Sequence, residues 1–227
     1  MLEQMRAGEA FVAATVAGLD DADLGGPSLL PGWTRAHVIG HLARNAEALG
    51  RLAAWARTGV ETPMYRDPQQ RAAEIAASAG APAAVLRDDL RKTAAALDAA
   101  LGELDHDTWL APVRSATGRT IRASEIPWLR VREVYLHAVD LGAPPGTVPG
   151  DVVDALLDDI VPALTTRDGC PAVLIRPADR TRVWALGGAT TGVDDAAITV
   201  RGTAADALAW LVGRADDPTR PQPPRWL

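Results

Sequence analysis

The chain has one cysteine, Cys170, so an internal disulfide is excluded and cysteine usage says nothing about the compartment. It has one lysine, Lys92, among 23 basic residues, and the arginines form no cluster. With 29 acidic residues and a formal net charge of −6, a nucleic-acid partner is not expected. No charged-then-apolar leader opens the sequence, and its apolar runs fall short of the roughly 18 residues that indicate a membrane span. A soluble, cytoplasmic protein without a membrane partner is the expectation. There is no His-Glu-x-x-His, so a peptidase-type glutamate base is not evident, and no glycine-rich phosphate loop with a lysine. A serine or cysteine nucleophile has no local support; Cys170, just before Pro171, reads as a structural cysteine.

What is present is apolar periodicity. Of the 227 residues 48% are hydrophobic, enough for one large core or two small ones. Helical spacing runs over residues 1–19, 35–57, 69–78 and 82–104, and from Ile121 or Ser124 to Leu141. Thr34 is placed to cap the second stretch, whose buried stripe reads as Val38, Ile39, Leu42, Ala46, Leu49, Leu52 and Trp55. Residues 59–68, with Tyr65, read as a loop, and 105–120 as an irregular crossover. Four long helices so connected predict a four-helix bundle over residues 1–142. Residues 143–150, rich in Pro and Gly, form a linker. Beyond it, 151–227 reads as a small α/β domain: a helix to about Thr166 interrupted by Pro162, strands at 172–176, 182–186 and 197–201, a helix at 204–213, and a Pro-rich tail ending in Trp226-Leu227. Gly187-Gly188 reads as a hairpin turn, and most of the seven tryptophans as core. The fold class is α+β overall.

Glu133 and His137 are four residues apart on the last helix of the bundle, one above the other on a single face. His37 and His41 repeat that spacing on another helix. Either pair alone reads first as a structural contact, and His106 reads as a solvent-facing loop residue. Together, three of the four histidines lie on helix faces that a bundle can bring together around a metal. Two His and one Glu leave a coordination position open, as in catalytic zinc sites. Two-His-one-carboxylate iron sites use the same donors, so the metal's identity stays open.

The stretch Leu30-Pro31-Gly32-Trp33-Thr34-Arg35-Ala36-His37-Val38-Ile39-Gly40-His41-Leu42-Ala43-Arg44-Asn45 resembles the signature of the mycothiol-dependent maleylpyruvate isomerase family. Arg132-Glu133-Val134-Tyr135-Leu136-His137-Ala138-Val139-Asp140-Leu141-Gly142 is similar to its second signature. The resemblance implies a DinB-like metal-binding bundle followed by a smaller domain similar to sterol-carrier folds. It implies zinc, or another divalent metal, held by His41, Glu133 and His137, with His37 in a packing role. It implies a functional arginine in the second domain, for which Arg214 is the most similar position and Arg225 the alternative. Arg44, Asn45 and Arg130 lie near the ligand faces by spacing and are candidate contacts to a cofactor or a small anionic substrate. The implied reaction uses mycothiol as an external thiol: thiolate addition to a cis double bond, rotation, and elimination. A mycothiol S-transferase shares every one of these residues, and a non-catalytic metal- or ligand-binding protein is the reading from another class. A monomer is compatible with the sequence.

Overall fold

In the computed structural model, which describes residues 1–190, 198–215 and 217–226, the chain divides into two units, Met1–Gly142 and Ala143–Leu227. The first unit begins with α1 (Leu2–Ala17) and a 3₁₀ turn at Asp21–Gly25. Then come α2 (Arg35–Thr58), α3 (Pro68–Ala79), α4 (Ala83–Gly102) and the short α5 (His106–Leu110). A hairpin of β1 (Pro112–Arg114) and β2 (Thr120–Arg122) leads through another 3₁₀ turn into α6 (Ile126–Asp140). The bundle is made by α1, α2, α4 and α6, with α2 packed along α4 and α6, α1 along α6, and α3 set on α2.

Local chemistry explains where α2 stands. Thr34 caps it, its hydroxyl accepting from the His37 N–H at 3.3 Å, and Gly59 ends it in the left-handed conformation that glycine adopts without strain. Val38, Ile39, Leu42, Ala46, Leu49 and Leu52 are completely buried, and each larger side chain contributes about 1.5–3 kcal/mol by leaving water. Trp55, expected in that stripe, is half-buried. Gly40 lets α3 come close: a Cβ there would stand 2.7 Å from the Ser78 Cβ. That approach sets the position of α3 over the first turns of α2.

The register of α6 depends on Arg130, whose relative exposure is 0%. Its guanidinium donates to Glu9 on α1 (Nε–Oε1 2.7 Å, Nη2–Oε2 3.2 Å), to the Leu42 carbonyl at 2.7 Å and to Asn45 Oδ1 at 2.9 Å. One side chain thus ties three helices together, and a buried charge is tolerable only because these acceptors surround it. Val131, Val134 and Ala138 complete the buried face.

Residues 105–120 are more regular than an irregular crossover. Asp105 caps α5 by accepting from the Thr108 N–H at 2.9 Å, and β1 and β2 pair antiparallel with Val113 opposite Ile121. Ile121 is therefore a strand residue, and α6 starts at Ile126, with Pro127 in the first turn, where no N–H is needed.

In the second unit a 3₁₀ turn (Pro145–Thr147) precedes α7 (Gly150–Thr165), then β3 (Val173–Ile175), β4 (Trp184–Leu186), β5 (Ile198–Val200) and α8 (Ala204–Leu211). The helix α7 continues past Pro162 to Thr165. The sheet order is β4-β3-β5, with β4 antiparallel and β5 parallel to β3. Gly187-Gly188 accordingly does not turn a hairpin, because β4 and β5 are not neighbours; both glycines have positive φ at the exit from β4. A Cβ on Gly187 would lie 2.2 Å from the Pro171 carbonyl oxygen. Ala197 of the third expected strand and Leu227 of the tail lie outside the described residues. No described helix is long and apolar enough to cross a membrane.

Glu9→Ala would strand the Arg130 charge inside the bundle. A loss of about 3 kcal/mol in unfolding free energy is expected by urea titration; a loss below about 1 kcal/mol would show that the pair does not hold the helices.

Candidate metal centre

The second turn of α2 and the middle of α6 carry the site. Because α6 is held against α2 by Arg130, the residues one and two turns further along its face, Glu133 and His137, are brought to His41. His41 Nε2 lies 2.8 Å from Glu133 Oε2, and His137 Nε2 lies 3.3 Å from the same oxygen. The two imidazoles meet edge to face, with ring centroids 4.7 Å apart. One ligand atom from each of the three residues falls within 4.8 Å of the other two, a grouping that could hold a metal ion. Both histidines are buried, whereas the Glu133 side chain is 22% exposed.

The protonation pattern suits a donor set. Burial pushes His41 down to about 4, overriding the opposing pull of Glu133, so this imidazole is neutral near pH 7. Arg71 Nη2 lies 3.3 Å from His41 Nδ1. Arginine only donates, so Nδ1 accepts and the proton is on Nε2, where it is given to Glu133. Burial alone would lower His137, yet its hydrogen bonds to Asp140 and Glu133 outweigh that and raise it. Burial likewise opposes ionisation of Glu133, but hydrogen bonds from both histidines hold its carboxyl well below the ordinary carboxylate value.

The residues fit a divalent ion. The His137 Nδ1 is 2.7 Å from Asp140 Oδ2, and Asp140 is 1% exposed. A carboxylate behind a ligating histidine is a recurrent feature of metal sites: it fixes the tautomer and turns the Nε2 lone pair toward the ion. Trp33 packs edge-on to His41, with centroids 5.5 Å apart.

Other residues named from the sequence stand elsewhere. The His37 Nδ1 is 2.7 Å from the Thr34 hydroxyl, at the start of α2. Arg44 pairs with Asp89 and, at 3.2 Å, with Glu47. Asn45 and Arg130 share the interior network described above. His106 is exposed at the first position of α5. In the second unit Arg214 is half-buried, its guanidinium donating to the Val212 carbonyl, and Arg225 is exposed with its carbonyl accepting from Arg167. Cys170 is half-buried, and burial pushes its thiol up, so it is a poor thiolate at neutral pH. Sequence reasoning missed Asp140 and Arg71. A His-x-x-Asp spacing on one helix face could have suggested the first; no local signal marks the second.

The sequence profile described as "Mycothiol maleylpyruvate isomerase N-terminal domain" matches residues 5–142. Two solved structures are similar over nearly the whole chain. One is described as a mycothiol-dependent maleylpyruvate isomerase: 36% identity, TM-score 0.90, covering 99% of this chain and 95% of that one. The other is a histidine-to-alanine mutant of an enzyme described in the same words, with 36% identity, a TM-score of 0.89 and the same coverage. No curated protein matches.

Replacing His41, Glu133 or His137 by Ala is expected to remove bound divalent metal, measured by elemental analysis of the purified variants; full retention in any one would exclude it as a ligand. A proton and a metal compete for His137, whose pKa is raised. Metal affinity should therefore climb as pH rises past the ordinary histidine value, with proton release on binding, in a chelator-competition titration.

Proposed function

The chain belongs to the mycothiol maleylpyruvate isomerase family, and from that premise we propose that it is a zinc- and mycothiol-dependent cis–trans isomerase of a maleylpyruvate-like substrate. The observation that carries the reading is the two-histidine, one-glutamate donor set backed by Asp140, buried at both histidines and partly exposed at Glu133. Three protein donors and one free position are the pattern of a catalytic zinc site. The raised thiol of Cys170 supports a sulfur supplied from outside. A cytoplasmic setting, where small thiols stay reduced, fits that requirement.

When bound, the metal supplies Lewis acidity that keeps a thiol deprotonated near neutral pH. The chain's own residues prepare for it. His41 is neutral because burial disfavours its charge, so it would offer the Nε2 lone pair with its one proton carried on Nδ1. Asp140 holds the Nδ1 proton of His137 and leaves Nε2 for the centre. Glu133 brings the one negative charge, which offsets part of the ion's own. Trp33 covers His41 from one side and keeps water from it. In the proposed conversion the substrate's cis double bond becomes a single bond on addition of the thiolate. It rotates, and it re-forms in the trans arrangement as the thiolate leaves, so the thiol is regenerated.

We assign Arg130 and Asn45 to holding α6 in register, since their polar atoms are engaged inside the bundle. Arg44, engaged with Asp89 and Glu47, is assigned to the α2–α4 contact. Arg214 is retained as the candidate anchor for a substrate carboxylate in the second unit.

Incubation of the zinc-loaded protein with mycothiol and maleylpyruvate should give the trans product with no net consumption of thiol, followed by ultraviolet absorbance and thiol titration. Accumulation of a stable thioether would instead assign an S-transferase, and no thiol-dependent change a binding protein.

A further inference from the structure

We propose that Arg71, assisted by the Tyr65 hydroxyl, is the residue that positions a carboxylate of the substrate beside the metal centre. The inference rests on the isomerase reading above and adds to it a specificity-determining group in the bundle itself.

Arg71 lies in the first turn of α3, brought to α2 by the close approach at Gly40. Most bundle arginines have a carboxylate: Arg6 has Asp98, Arg44 Asp89, Arg87 Asp21 and Arg130 Glu9. Arg71 has no carboxylate within ion-pair distance among the described residues. Its contacts are the His41 Nδ1 at 3.3 Å and the face of the Tyr65 ring, 5.8 Å from the guanidinium carbon to the centroid. A half-buried guanidinium next to a metal site and without an anion is a carboxylate receptor awaiting its ligand.

The His41 contact is conditional. A neutral imidazole that gives Nε2 to a metal carries its proton on Nδ1, and an N–H cannot accept from arginine. Loading the centre therefore removes Arg71's acceptor and leaves its fork for another. A planar carboxylate matches that fork with two parallel hydrogen bonds.

Tyr65 supplies a second sign. Its hydroxyl is buried without a hydrogen bond of ordinary length, the Arg71 guanidinium being the group set to bond it, whereas buried polar groups are as a rule satisfied. A second arginine also lies over the ring, with Arg51 5.8 Å from its centroid and anchored by its Nε to the Met64 carbonyl at 3.0 Å. The phenol is close enough to the centre to feel both Arg71 and Glu133. A ligand oxygen between Arg71 and Tyr65 would satisfy both groups. The ligand class is a small carboxylate whose reactive carbon lies a few bonds from the acid, such as an unsaturated dicarboxylate or keto acid.

The test uses the full-length zinc-loaded protein with maleate as probe and no thiol present, followed by calorimetry. Wild type should bind maleate. Arg71→Gln should keep its zinc and its melting temperature but bind maleate about 100-fold more weakly, with Arg71→Lys intermediate and Tyr65→Phe about 5-fold weaker. In turnover with mycothiol, Arg71→Gln should raise the KM for maleylpyruvate and leave the KM for thiol unchanged. Unaltered maleate binding in Arg71→Gln would overturn the proposal, as would loss of zinc, which would make Arg71 a mere support for His41. Should Arg71→Gln fail to fold, Arg71→Lys and Tyr65→Phe decide by the same measure. Arg71-dependent maleate binding without thiol-dependent isomerisation would sink the isomerase reading alone; isomerisation indifferent to Arg71 would sink this inference alone.

Discussion

A buried guanidinium sets the geometry on which the metal centre depends. Arg130 reaches Glu9 on α1 and Leu42 and Asn45 on α2, and it lies on the same face of α6 as Glu133 and His137. Sliding α6 by one turn along α2 would break these bonds inside a dry interior and would also carry Glu133 away from His41. The polar network and the donor set are thus two readings of one helix register. Apolar packing of Val131, Val134 and Ala138 supplies adhesion, but it tolerates small slips that a four-bonded guanidinium does not.

Charge is balanced with similar economy at the centre. One buried imidazole is kept neutral by desolvation, the other is pushed toward its charged form by Asp140 and Glu133, and the carboxylate between them is held ionised by both. Any ion bound here would compete with the protons that these hydrogen bonds hold. Arg71 is linked to the same exchange, because its contact with His41 requires the tautomer that a ligated imidazole gives up.

Much of this was legible in the sequence. The bundle followed from apolar spacing in four stretches, and the two helix faces that meet at the site from the i, i+4 positions of Glu133 and His137 and of His37 and His41. Spacing could not separate His37 from His41: His37 faces Thr34 at the helix start, and His41 faces α6. Arg130 read as a candidate ligand contact because its partner Glu9 is remote in sequence. The β1–β2 hairpin escaped because three-residue strands are too short to show alternation. Arg71 escaped for a tertiary reason, since only the Gly40–Ser78 approach brings α3 to His41. Gly187-Gly188 carried a true turn signal, but the strand order places β3 between the strands it was expected to join.

The central claim is that this centre holds a divalent metal on two imidazoles and one carboxylate and presents it to an external thiol. X-ray absorption at the metal edge of the purified protein, before and after addition of mycothiol, tests it most directly. The account predicts scattering from two imidazoles at the outset and a sulfur neighbour once the thiol is added. A spectrum without imidazole, or one that mycothiol leaves unchanged, would contradict it.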